Sequence, residues 1–159
     1  MAFTDADYMK LALAQARLAG EKGEVPIGCV VVWDDGRVVG AGFNTRESEK
    51  CALGHAECNA IAEACQTLGG WRLHRATLYV TTEPCPMCAG AIMNARIARV
   101  VYGCEDPKAG AYGSVFDLND FPVNHKPSVT KGVLAEECRL LLSDFFKSLR
   151  ARSGKNEKD

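Results

Sequence analysis

The chain reads as an α/β protein: one domain of three α/β/α layers, a five-stranded mixed sheet with helices on both faces. Three observations carry that reading. β-Branched apolar runs alternate with helical stretches, and two of these alternations are β-α-β passes, which imply parallel strands. The first two strand-like runs are instead joined by a short polar turn, which implies an antiparallel pair. The 159 residues are enough for one sizeable core and do not suggest a second domain.

In chain order, a first helix is expected over Asp5–Ala19. Thr4 caps it with Asp7 three residues on, Tyr8, Leu11, Leu18 and several alanines form its apolar stripe, and Gly20 stops it. Ile27–Trp33 and Val38–Phe43 follow as strands around the turn Asp34-Asp35-Gly36-Arg37. A polar loop, Asn44–Gly54, leads to a helix from His55 to Leu68 that ends at Gly69-Gly70. Ala76–Thr81 reads as a buried strand, and Pro86 sits just inside the next helix, which runs to about Arg96. A strand at Arg99–Gly103, a glycine-rich loop at Asp106–Ser114, a strand at Ser128–Leu134 and an amphipathic helix from Ala135 to about Arg150 complete the fold. Residues 1–152 form the domain, and the polar segment Ser153–Asp159 is expected to be a disordered tail.

Composition narrows the function classes. Apolar residues at 47% and charged residues at 25% exclude a disordered, collagenous or membrane chain. Nineteen basic against twenty acidic side chains provide no global positive field, so a polyanionic partner has to be held by a local patch. The N-terminus has no apolar signal core and no stretch nears the roughly 18 apolar residues of a membrane span, so no membrane role and a cytoplasmic location are expected. Eight cysteines in that reducing compartment read as free thiols or metal ligands.

The sharpest chemical signal is His55-Ala56-Glu57 opening one helix and Pro84-Cys85-Pro86-Met87-Cys88 opening the next. Two thiolates three residues apart on a first turn point the same way, and a histidine from a neighbouring helix start completes a three-ligand face suited to Zn²⁺. Three protein ligands leave a fourth position for water, whose pKa zinc lowers to roughly 7. Glu57 then stands where a proton shuttle is needed, and the reaction class is hydroxide attack on an electrophilic carbon. Two other readings stay open on spacing alone. Cys58, three residues after His55, could close a four-ligand structural site, or the thiols could be scattered and bind no metal. Cys29, Cys65, Cys104 and Cys138 read as small buried hydrophobes, Cys51 is unassigned, and His74 and His125 read as surface or loop histidines. Phe145-Phe146, spaced with Leu141, Leu142 and Leu149, reads as core or dimer packing, and the basic C-terminal run as a solvated face or a weak phosphate contact.

These motifs, His-Ala-Glu at 55–57 and Pro-Cys-x-x-Cys at 84–88, resemble the signature of the zinc-dependent cytidine deaminase superfamily. Within it the chain is most similar to the bacterial tRNA adenosine deaminases, through Glu24–Gly28, Asn44, the loop Asp106–Ser114 and Leu142–Phe146. The resemblance implies a cytidine-deaminase-like fold and one Zn²⁺ per subunit on His55, Cys85 and Cys88. It further implies Glu57 as the proton shuttle while adenine loses its 6-amino group and becomes inosine. By the same resemblance Asn44, Ile27, Ala56 and Pro84 surround the flipped base, Asp106 and Lys108 contact the anticodon loop of an arginine tRNA, and Phe145 lies against RNA. A homodimer is implied too. Guanine or cytosine deamination, and a non-catalytic zinc-stapled RNA-binding module, are the alternatives. Cys58 departs from the family, which commonly has an aliphatic residue there.

Overall fold

In the computed structural model, which describes residues 2–156, alternation along the strands sorts the core onto the two faces of one sheet. The strands are β1 (Gly28–Trp33), β2 (Val38–Phe43), β3 (Ala76–Thr82), β4 (Arg99–Cys104) and β5 (Ser128–Lys131), in the order β2-β1-β3-β4-β5. Val31, Leu78, Val80 and Val100 pack with α2 (Ala56–Leu68) and α3 (Pro86–Asn94). Val30, Val32, Tyr79 and Val101 pack on the other face with α1 (Asp5–Glu21) and α4 (Ala135–Asn156). The architecture is therefore the three-layer arrangement that the alternating sequence predicts.

β1 is antiparallel to both β2 and β3, whereas β3, β4 and β5 run parallel. One expected β-α-β pass, β3-α3-β4, joins neighbouring strands. The other, through α2, joins β2 to β3, which share a direction but have β1 between them. No described helix is long and apolar enough to cross a membrane.

Four boundaries differ from the sequence reading by two or more residues. α1 continues through Gly20 to Glu21, because the left-handed residue that lets the chain leave the helix is Gly23, at φ 80°. α3 stops at Asn94, with Arg96 at φ 63°. β5 ends at Lys131, before the positive φ of Gly132 and Leu134. α4 runs to Asn156, so Ser153–Asn156 continue the helix instead of beginning a disordered tail; the rest of that expectation, residues 157–159, lies outside the described residues.

Two features set where the site lies. Gly42 on β2 faces α2 so closely that a Cβ there would stand 2.6 Å from the Ala56 carbonyl oxygen and 2.7 Å from the Ala60 nitrogen, so α2 rests directly on the strand backbone. β3 then delivers the chain straight into the start of α3. The N-termini of α2 and α3 thereby meet beyond the carboxyl end of β3, where open α/β sheets build their sites.

Candidate metal centre and its cavity

Helix starts ordinarily carry Ser, Thr, Asp or Asn, whose side chains accept a bond from an unpaired backbone N–H. α1 follows that habit: Thr4 and Asp7 form a reciprocal capping box. α2 and α3 do not. Their N-cap residues are His55 and Cys85, both with extended backbones, and neither side chain makes a capping bond. Both side chains turn instead toward a common point. The Nδ1 of His55 lies 3.5 Å from the Sγ of Cys85 and 3.5 Å from the Sγ of Cys88, and all three donor atoms fall within 4.8 Å of one another. Pro86 opens α3 at a position where no N–H is required.

The electrostatics suit thiolates. Hydrogen bonding with Cys88, then with His55, outweighs burial and holds the Cys85 thiol down at about 4. The thiol neighbours Cys58 and Cys85, with burial, push Cys88 up. The Cys85 hydrogen bond raises the His55 imidazole against the opposing effect of burial. Two helix N-termini add positive potential at the same point. Two thiols and an imidazole converging in this way fit a soft-to-borderline divalent cation such as Zn²⁺. Cys58, one turn along α2, is half-buried and does not join the group of mutually close donors.

Glu57 occupies the first turn of α2 and is 4% exposed. Burial pushes its carboxyl up to about 7, and the Cys85 thiolate adds to the rise. A carboxyl poised near neutrality can both take and return a proton.

His55, Glu57 and Cys85 form the floor of a cavity of about 140 Å³, and the buried Cys88 joins them from outside its lining. Ala56 and Thr82 continue the floor, while Val25, Ile27, Asn44 and Arg46 form one wall and Glu83 and Asp106 the other. Of the residues singled out from sequence, the structure brings His55, Cys85, Cys88, Glu57, Ala56, Ile27, Asn44 and Asp106 together. Pro84 is buried and does not line the cavity; its carbonyl accepts a 2.9 Å bond from the Ala111 N–H. Lys108 is exposed and does not line the cavity. Phe145 lies elsewhere, in a groove between α1 and α4 with Arg17, Leu141 and Arg152.

Asn44 is 6% exposed and its amide is oriented on both sides: Nδ2 donates to the Val25 carbonyl at 3.4 Å, and Oδ1 accepts from the Arg46 N–H at 3.1 Å. Asp106 turns its Oδ1 back to the N–H groups of Lys108 and Ala109, fixing the first turn of the glycine-rich loop. Arg46, Glu24 and Glu83 are the residues that sequence reasoning missed. Glu24 and Glu83 are buried carboxylates, 1% and 2% exposed, that hold the loops on either side of the cavity.

The remaining cysteines are free thiols, with Cys29, Cys104 and Cys138 buried as small hydrophobes. His125 bonds the Ile97 carbonyl and His74 is exposed, so neither nears the cavity.

Comparison with known proteins agrees with this geometry. The sequence profile of the MafB19-like deaminases matches residues 3–150. The chain is 50% identical over 146 residues to the tRNA-specific adenosine deaminase of Bacillus subtilis, covering 91% of this chain and 90% of that protein. It is 44% identical over 147 residues to the one from Haemophilus influenzae, covering 92% and 85%. A solved structure from studies of A-to-I editing by tRNA:A34 deaminases at the wobble position of transfer RNA superposes with a TM-score of 0.82 at 46% identity, covering 85% of this chain and 98% of that one. A guanine deaminase from Bacillus subtilis superposes less well, with a TM-score of 0.61 at 36% identity over 65% of this chain and 66% of that one.

Proposed function

The chain belongs to the deaminase family that includes the tRNA-specific adenosine deaminases, and from that membership we infer that it deaminates the wobble adenosine of a tRNA anticodon loop to inosine. The observation that carries this reading is the convergence of His55, Cys85 and Cys88 beside the buried Glu57, three of the four lining one cavity.

His55, Cys85 and Cys88 would hold one Zn²⁺ per subunit. Bound there, zinc supplies the Lewis acidity that makes water a nucleophile near neutral pH. The protein's own residues account for the rest. Glu57 receives the proton released by the water and passes it to the departing amine, which a carboxyl near 7 does in both directions. Oxygen from water ends on C6 of the base, the C6–N6 bond breaks, and ammonia leaves. Asn44, its amide fixed from both sides, presents a polar edge to the base, while Ile27 and Ala56 supply apolar walls. Pro84, next to Cys85 in the chain, ties the floor to the glycine-rich loop through the Ala111 N–H. Asp106 and Arg46 stand at its rim, where the flanking nucleotides pass, with Lys108 and Phe145 further out along the RNA.

A base reaches such a floor only after leaving its stack, which costs a few kcal/mol and least where the strand is already splayed. That favours an anticodon loop, here of an arginine tRNA, over a duplex. A homodimer is part of the same proposal. A tRNA substrate and eight free thiols together favour the cytoplasm.

The test is inosine formation in a minimal arginine anticodon stem-loop, with and without its wobble adenosine. Wild type should edit only the first, and Glu57→Ala should keep its metal and lose turnover. Deamination of free guanine or cytosine with the RNA untouched overturns this reading in favour of a free-base deaminase.

A further inference from the structure

The glycine-rich loop could be expected to swing, since it carries glycines at 110 and 113 and lies between β4 and a single short 3₁₀ turn at Leu118–Asp120. Its hydrogen bonds show otherwise. Glu83, the residue between β3 and the Pro84–Cys85 arm, sends its carboxylate into the loop. Oε1 accepts from the Asp106 N–H at 3.1 Å and from the Ser114 hydroxyl. Oε2 accepts from the N–H groups of Tyr112 and Ser114, each at 3.1 Å.

The fit between acid and loop is close. A Cβ on Gly110 would collide with the Glu83 carboxylate, so the loop has glycine where its backbone passes over the acid. Among the described residues no Lys or Arg pairs with Glu83. The charge is met by backbone and hydroxyl donors of the loop alone, a way of binding that fixes geometry where a cation on a flexible stem would not.

We propose that Glu83 is a positioning residue for substrate RNA: it ties the rim that carries Asp106 to the arm that carries Cys85, and so sets the height of the rim above the floor. The proposal rests on the functional reading above. One of the four bonds is made by the backbone of Asp106 itself, and Asp106 lines the same cavity as Glu57 and Cys85. The Pro84 carbonyl adds a second tie to the loop through Ala111. A brace that served only the core would have no reason to grip the rim residue directly.

The experiment compares wild type, Glu83→Gln and Ser114→Ala on the anticodon stem-loop, with metal content measured for each. Gln keeps the shape but turns an amide N–H₂ toward loop donors, and a hydrogen bond to a charged group is lost or inverted. KM for the RNA should rise about tenfold or more in Glu83→Gln, with kcat within about threefold of wild type and metal near one ion per chain. Ser114→Ala, which leaves the buried charge and three of its donors in place, should raise KM about threefold and serves if Glu83→Gln does not fold. Adding Asp106→Ala to Glu83→Gln should raise KM by clearly less than the same change does in wild type, because the rim is already displaced. An unchanged KM in both variants, or activity that falls only in step with lost metal, overturns the proposal while wild-type editing stands. Wild type that leaves RNA unedited overturns the functional reading, and the proposal falls with it.

Discussion

His55 and Cys85 reach the cavity from the first residues of helices, whereas Asn44, Arg46 and Asp106 reach it from loops. The helix-borne floor needs little individual support. α2 is seated by main-chain contact at Gly42 and α3 by the strand that feeds it, so the ligands are placed by forces spread over whole elements. The loop-borne walls are each held by one acid. Glu83 grips the Asp106–Ser114 loop, and Glu24 accepts from the N–H groups of Glu47 and Ser48 at 3.0 and 2.8 Å and from the Ser48 hydroxyl at 2.8 Å. Burial opposes the charge of Glu24, but those bonds win and keep it ionised. The proposed metal and proton-carrying groups thus sit on rigid elements, and the loop-borne side chains of the walls on loops made rigid one carboxylate at a time.

The largest break in this contrast comes from the floor. Cys88→Ser should weaken zinc affinity by more than about 100-fold, exceeding the loss typical of outer-shell changes, and dialysis followed by metal analysis reads it directly. Removing the metal by chelation should stop turnover, and adding zinc should restore it. The wall responds more mildly. Glu24→Gln should cost about 1–3 kcal/mol in urea unfolding while metal content stays at wild-type level. An equal loss of metal would show that floor and wall are one unit and remove the contrast.

Smaller again is the effect of a polar clasp that belongs to neither region. Arg99 binds Asp5 through two bonds, 2.9 and 2.7 Å, and Tyr79 adds a third at 2.8 Å. The Arg99 hydrogen bond holds the Asp5 carboxyl below its ordinary 3.8. A depressed acid contributes stability that is complete above its unfolded value and fades as pH falls through the lower folded one. Asp5→Asn should therefore flatten the acid limb of the stability curve below about pH 4, and cost only about 0.5 kcal/mol at neutrality because the pair is one-third exposed to water. The smallest effect sharpens the floor itself: Cys58→Ser should retain zinc and editing within about twofold, since Cys58 stands outside the close donor group. Loss of metal equal to that in Cys88→Ser would restore the four-ligand site.

The same division decides what can be read from the chain. Ligands three apart on a helix turn, with a histidine and glutamate opening another, leave a spacing signal, so His55, Glu57, Cys85 and Cys88 are visible in the sequence. Strand alternation likewise reveals the layers. Glu24 and Glu83 leave no such trace, because a single acid looks like any solvated charge until the loop that folds over it is known. Gly20 misleads for a related reason. Inside a helix it is tolerated, and the exit from α1 depends on the positive φ of Gly23, which composition does not distinguish. Resemblance assigns Phe145 to the RNA surface, while its actual neighbours, Arg17, Leu141 and Arg152, follow from how α4 packs by α1, a tertiary fact no local pattern carries.

The seam between Gly42 and α2 also makes that one position intolerant. Because main-chain atoms of Ala56 and Ala60 occupy the space a Cβ would need, any side chain at 42 has to lift the start of α2, and His55 and Glu57 with it, off the sheet.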